Sequence, residues 1–195
     1  MIETLKQLDT ELFLALNGLH NSFFDFLMFW ASNKLIWIPL YLYFLYLLIK
    51  NYKLKTIGIF VTVIVLITLT DQLSVHLFKN VFQRFRPCHE PQLEGLVHIV
   101  NGKCGGRFGF VSSHATNTFA LAVFLIQFLG KKYRYFTVLV LFWAVFVSYS
   151  RIYLGVHYPG DVIVGAAFGS LLGFVIFWLH NFLRKEWDTD RSRSV

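Results

Sequence analysis

The sequence predicts an all-α protein: a polytopic bundle of about six transmembrane helices with an interfacial helix at the N-terminus. Three observations carry this. Of the 195 residues, 56% are hydrophobic and only 15% charged, against about 25% charged in a soluble domain. Too little polar surface remains to cover the chain in water, whereas lipid solvates the outside of a membrane bundle. Apolar runs recur at close to the roughly 20 residues that a crossing helix needs. Basic residues gather in short clusters at the ends of those runs, at 50–55, 131–134 and 184–193.

Taken in order, residues 1–11 are polar and amphipathic and read as a helix lying on the membrane surface. They carry Glu3, Asp9 and Glu11 without a basic start, so no cleavable signal peptide is expected. Residues 12–31 are apolar but interrupted by Asn17, Gly18, His20, Asn21 and Asp25, a weak sixth span or a bent, half-inserted helix. Residues 35–49 and 56–78 are spans, the second ending in Thr70, Asp71, Ser74, His76 and Lys79. A long polar loop, 80–111, holds Pro87, Pro91 and a glycine-rich end. Residues 112–129, 135–150 and 160–183 are the remaining spans. No repeat, low-complexity segment or linker divides the chain, so residues 1–195 read as one membrane-embedded domain.

The positive-inside rule orients the bundle. With the three basic clusters on the cytoplasmic side, two spans separate each neighbouring pair. The loop 80–111 and the turn 151–158 then share the opposite face. Three polar stretches meet there: Lys79 to Pro87, Val111 to His114, and Ser150 to Asp161. The net charge of +7 is therefore explained by anchoring, orientation and a polar site, and no nucleic-acid partner is expected.

Those stretches carry chemistry. Lys79, Arg84, Arg86 and Arg151 stand at helix ends, where one cation alone would snorkel to headgroups. Four of them beside two histidines point to an anion, and Arg forks with a Lys ammonium suit phosphate. Ser112 or Ser113 is a natural N-cap, and Pro159 suits a first helical turn. Two helix N-termini would thus face the same anion; ordinary capping explains either one alone. His157 and Asp161 lie four residues apart across a helix start. The carboxylate can reach one ring nitrogen and leave the other as base or nucleophile. His114, on another helix, can serve as partner acid.

Lys79 with Arg86-Pro87, Val111-Ser112-Ser113-His114, and Ser150-Arg151 with His157 and Asp161 resemble, in order and spacing, the three motifs of the type 2 phosphatidic acid phosphatase superfamily. That family includes lipid phosphate phosphatases, glucose-6-phosphatases and vanadium haloperoxidases. The resemblance covers residues 79–161, and the surrounding spans fit its six-helix membrane branch. It implies a catalytic trio: His157 attacks phosphorus and forms a phosphohistidine, Asp161 orients it, and His114 protonates the leaving oxygen and then activates water. Lys79, Arg86, Ser112, Ser113 (through its amide) and Arg151 would hold the phosphoryl oxygens. No metal or cofactor is implied. Val111 stands where the family usually has Pro, and Ser113 where it has Gly. The amide at 113 survives, and the added hydroxyl could be a further donor.

Weaker claims attach to other residues. Asp71, eight residues before Lys79 on nearly the same helical face, is either a second layer behind the site's cations or a structural hydrogen bond to a neighbouring helix. His20, His76 and His180 read as packing or interfacial residues; Trp30, Trp37 and Trp187 read as interfacial anchors. Cys88, His89, Glu90, His98 and Cys104 match no familiar zinc spacing. A Cys88–Cys104 disulfide is the stronger reading if the loop faces an oxidising compartment.

The expected protein is an integral-membrane enzyme of a cytoplasmic (inner) membrane, its site on the periplasmic or extracellular face. Its substrate would be a lipid phosphate with tails held among the membrane lipids: undecaprenyl diphosphate, phosphatidylglycerophosphate, phosphatidic acid or a lipid A phosphate. The alternatives are lipid phosphotransfer, with an alcohol replacing water, and a non-catalytic lipid-phosphate binder or transporter. The sequence sets no oligomeric state, and leaves open whether residues 88–110 form a lid.

Overall fold

The computed structural model describes the backbone of residues 2–193 and the side chains of residues 3–185. The side chains of Trp187, Arg191 and Arg193 lie outside the described residues. The helices are α1 (Ile2–Asn17), α2 (Ser22–Ala31), α3 (Ile38–Tyr52), α4 (Thr56–Leu73), α5 (Asn80–Phe82), α6 (Ser113–Leu129), α7 (Phe136–Tyr153) and α8 (Pro159–Arg193). A π-helical segment, Ser74–Lys79, joins α4 to α5. Among the described residues there is no strand, only one isolated antiparallel bridge between Phe85 and Phe108.

The contacts give each helix its direction. The C-terminal Tyr52 of α3 donates to the Phe128 carbonyl at the end of α6, 2.7 Å away. Thr62, early in α4, pairs with His180 late in α8. At the other end, Ser74 meets Ser113 and Arg151 meets Ser32. Successive helices α3, α4, α6, α7 and α8 therefore alternate in direction, and the three polar stretches share one end. At the opposite end, Lys132 lies over the Tyr52 ring, so two of the basic clusters are neighbours there.

The stretches Lys34–Phe82, Phe136–Tyr153 and Pro159–Lys185 are long and apolar enough to cross a bilayer, and Ser113–Leu129 is a shorter apolar helix. Their outward faces are apolar, for example Ile64, Phe142 and Trp178, as a lipid-solvated bundle requires. The chain is an all-α membrane helix bundle. Its core lies among α3, α4, α6 and α7 around Leu47, Leu66, Phe124, Leu129 and Trp143.

The 12–31 stretch is not one helix: α1 and α2 meet at a bend of 116°. The bend follows from the polar interruptions. Asn17 donates to the Tyr153 carbonyl at 2.7 Å and accepts from His98 N at 2.8 Å. Asn21 caps α2 through Phe24 N at 3.0 Å, and Asp25 accepts from Tyr153 Oη at 2.7 Å. These groups bind α1 and α2 to the site end of α7. Leu5, Leu8 and Leu12 stay exposed along α1, in keeping with a helix at the membrane surface.

α8 packs against α6 through Gly165, Gly169 and Gly173. A Cβ at Gly165 would lie 2.9 Å from the Ser112 carbonyl, and Cβ atoms at Gly169 and Gly173 would strike the carbonyls of Thr116 and Ala120. This small-residue stripe lets the backbones touch. It also brings the two helix starts together, where Ser112 N donates to the Asp161 carbonyl at 3.0 Å.

Candidate active site

Each motif reaches the site by its own route. α7 ends in a turn at Leu154–Gly155, where Gly155 has φ +75° and a Cβ would lie 2.6 Å from the His98 carbonyl. Only glycine fits, and the turn swings His157 back over the bundle, with its N–H on the Arg151 carbonyl. Pro159 opens α8, and Asp161 falls in its first turn. The loop after α5 is pinned by Arg86 N to Arg107 O and Gly109 N to Arg84 O. It is also closed by a Cys88–Cys104 disulfide. With both sulfurs in that bond, neither cysteine is a thiolate metal ligand, and His98 is engaged by Asp25 at 2.8 Å.

His157 is buried. Its Nδ1 faces Asp161 Oδ2 at 3.4 Å, a long contact, and the same oxygen accepts from Tyr158 N at 3.0 Å. Arg86 Nη1 donates to His157 Nε2 at 3.0 Å and to the Val156 carbonyl at 3.1 Å. A guanidinium donates only, so Nε2 is the unprotonated nitrogen and Nδ1 carries the hydrogen. Burial, and then the charges of Arg86, Arg151 and Lys79, hold the imidazole well below its ordinary pKa of 6.5. Burial also lowers the pKa of Arg86, partly offset by Asp161.

The polar end of a cavity of about 710 Å³ is formed by Lys79, Arg86, Ser113, His114, Arg151 and His157. The cavity continues between helices over Tyr41, Phe44, Phe60, Val63, Leu121 and Leu125. It thus joins a cationic mouth to an apolar trough. Two buried donors on cavity-lining residues have no partner, Arg86 Nε and Arg151 Nε, and Ser112 Oγ at the start of α6 is a third orphan. Buried polar atoms normally find partners, so the two unpaired guanidinium donors at the cavity fit an anion with several acceptor oxygens.

The structure departs from the sequence reading at three places. Ser112 occupies the N-cap of α6, but its hydroxyl makes no capping bond. The Ser113 hydroxyl is already taken, accepting from Lys79 Nζ at 2.7 Å and pairing with Ser74 Oγ at 2.8 Å. Arg84 does not join the other cations. It turns behind His157, donating to Asp161 Oδ1 at 3.0 Å and to Asp9 Oδ2 at 2.8 Å. Asp71 lines the same cavity as Lys79, the placement expected of a residue behind the site's cations. Sequence reasoning assigned no role to Asp9, Ser74 or Gly109. Gly109 lies so close that a Cβ would be 3.3 Å from Asp161 Oδ2 and 3.5 Å from His157 Nδ1.

Comparison with known proteins agrees with this architecture. A model described as the PAP2 superfamily matches residues 58–185. The chain is 41% identical over 192 residues to a lipid A 4′-phosphatase of Bacteroides thetaiotaomicron, covering 97% of this chain and 84% of that protein. It is 34% identical over 189 residues to a lipid A 4′-phosphatase of Porphyromonas gingivalis, covering 95% and 78%. The fold is similar to that of a transmembrane PAP2 type phosphatidylglycerolphosphate phosphatase from Bacillus subtilis. The TM-score is 0.68 at 23% identity, covering 91% of this chain and 87% of that one.

Proposed function

The chain belongs to the PAP2 superfamily as a membrane lipid phosphatase, and on that premise we propose that it hydrolyses a lipid A phosphate through a phosphohistidine. The observation that carries the mechanism is the set of buried, partnerless donors on Arg86, Ser112 and Arg151 beside a neutral His157. The substrate choice rests on two lipid A 4′-phosphatases alike over nearly the whole chain. The apolar trough below the cationic mouth supports a substrate with tails.

The steps balance as follows. The Nε2 lone pair attacks phosphorus as Arg86 releases that nitrogen to grip a phosphoryl oxygen. The P–O ester bond breaks, and the leaving oxygen takes a proton from His114, which must first be charged beside the bound phosphate, taking that proton from the phosphate monoanion or from water. Asp161 steadies the positive charge that the ring gains. His114 then accepts a proton from water, the hydroxide attacks phosphorus, the P–N bond breaks, and inorganic phosphate leaves. Lys79, Arg86, Arg151, Ser112 and the Ser113 amide stabilise the equatorial charge in both steps. Three cations supply the charge stabilisation that a metal gives elsewhere, so we assign no metal. The site is proposed to open on the periplasmic face of the inner membrane, supported by the basic clusters at the other end and by the disulfide in the site loop.

The test is phosphate release by the detergent-solubilised protein and its His157→Ala variant, with chelator present. The panel is lipid A, phosphatidylglycerophosphate, phosphatidic acid and undecaprenyl diphosphate. Chelator-resistant release by the unmodified protein alone, fastest on lipid A, is expected. Equal release by the variant would sink the mechanism, and preference for another lipid would replace the substrate.

A further inference from the structure

We propose that Asp9 and Arg84 are positioning residues of the reaction, so that the N-terminal helix α1 belongs to the catalytic apparatus. The proposal rests on the reading that Asp161 orients His157. Asp9 lies outside the matched family segment, residues 58–185.

The geometry is a relay of hydrogen bonds. Asp161, fully buried, gives Oδ2 to Tyr158 N and His157 Nδ1, and Oδ1 to Arg84. Arg84 spends its other arm on Asp9 Oδ2, and Asp9 Oδ1 accepts from Gly160 N at 2.7 Å. Gly160 precedes Asp161, so Asp9 grips the start of α8 by its backbone and, through Arg84, by its carboxylate. The guanidinium lies 3.8 Å from the Tyr158 ring centroid, and Phe13 of α1 packs edge-on to the same ring. Arg84 is thus fixed on three sides, and it is not among the residues that line the cavity.

Charge explains why two carboxylates are needed. Arg84 alone would neutralise Asp161 and weaken its hold on the His157 ring. Asp9 neutralises Arg84 in turn, leaving one net negative charge behind the ring to oppose Lys79, Arg86 and Arg151 in front. The pair is only partly shielded, with the Arg84 and Asp9 side chains 25% and 16% exposed. Its value therefore lies in geometry more than in stability.

Two variants test this without unmaking the fold. Asp9→Asn keeps size and removes the charge. Gly160→Ala keeps every charge, but its Cβ would lie 2.7 Å from Asp9 Oδ2 and drives that side chain off. Each, and Arg84→Gln, should lower kcat on the order of tenfold or more with KM nearly unchanged. Asp9→Asn combined with Arg84→Gln should be no worse than the poorer single variant, and Arg84→Lys should recover part of the loss. Thermal unfolding is followed alongside. Unchanged kcat in Asp9→Asn and Gly160→Ala would overturn the proposal, as would losses that simply follow falling Tm or add independently. His157→Ala is measured in the same series: if it stays active, the underlying mechanism fails; if it alone is inactive, only the positioning role fails.

Discussion

Lys79 donates its ammonium hydrogen to the Ser113 hydroxyl at 2.7 Å, and Ser74 holds that hydroxyl from the other side. Ser113, which stands where the family usually has Gly, therefore holds Lys79, a cation we propose to bind phosphate. Removing the hydroxyl takes both bonds from the protein alone, each worth about 1 kcal/mol. With Lys79 turned to phosphate, as proposed, only the Ser74 bond is lost, a difference of about 1 kcal/mol. Ser113→Ala should therefore unfold at lower temperature yet bind inorganic phosphate up to roughly fivefold more tightly. Product-inhibition constants measured beside melting curves check both halves; weaker phosphate binding would show that the serine itself holds the anion.

How much of this could be read from the chain depends on the range of the interaction. The convergence of Lys79, Ser112, His114, Arg151 and His157 at one end follows from alternating spans and basic clusters, because helix direction is fixed by counting. The interruptions at Asn17, Asn21 and Asp25 were legible as breaks in an apolar run, but their partners on Tyr153 and His98 were not. Asp9 gave no signal: its partners lie 75 and 151 positions away, and an acid on an amphipathic helix looks like a solvated face. Arg84 was misplaced for a related reason. Spacing puts it beside Arg86, but the bridge Phe85–Phe108 fixes the strand-like path on which Arg84 turns to the carboxylates and Arg86 to His157.

The Cys88–Cys104 bond closes a loop whose base carries Arg86 two residues before Cys88. Cross-links over a loop of about 15 residues stabilise by about 3 kcal/mol. The double replacement Cys88→Ser and Cys104→Ser should lower the melting temperature and lower kcat, because Arg86 loses a firm base. Mass spectrometry of the unmodified protein after alkylation without reductant should find neither thiol labelled. Labelling of both, with full activity, would show that the loop holds Arg86 without the bond.

His157 sets a pH dependence of stability. Its folded pKa is lowered, so below the unfolded value near 6.5 the unfolded chain binds a proton that the folded chain refuses. Stability therefore falls as pH drops through 6.5, by about 1.4 kcal/mol per pH unit at most, and levels off below the folded pKa. Melting curves between pH 8 and pH 5 should show this slope in the unmodified protein and a shallower one in His157→Asn. Equal slopes in both would place the titration elsewhere.

The glycine stripe of α8 makes the sharpest mechanical prediction. A Cβ at Gly169 meets only backbone: the carbonyl, carbon and Cα of Thr116. No side chain can swing aside, so α6 must move bodily, and α6 begins with Ser113 and His114, within three residues of the collision. Gly169→Ala should cost about 1–3 kcal/mol from overpacking and lower kcat by displacing His114 from His157. Gly58→Ala is the control. Its Cβ would find only the His180 ring at 3.8 Å, an ordinary contact, and the helix should gain roughly 0.5–1 kcal/mol from lost backbone freedom. The melting temperatures of the two variants should therefore shift in opposite directions, and phosphate release should fall in Gly169→Ala alone. A silent Gly169→Ala would mean that α6 and α8 slide without disturbing the site, and that the close crossing does not hold the two histidines in register.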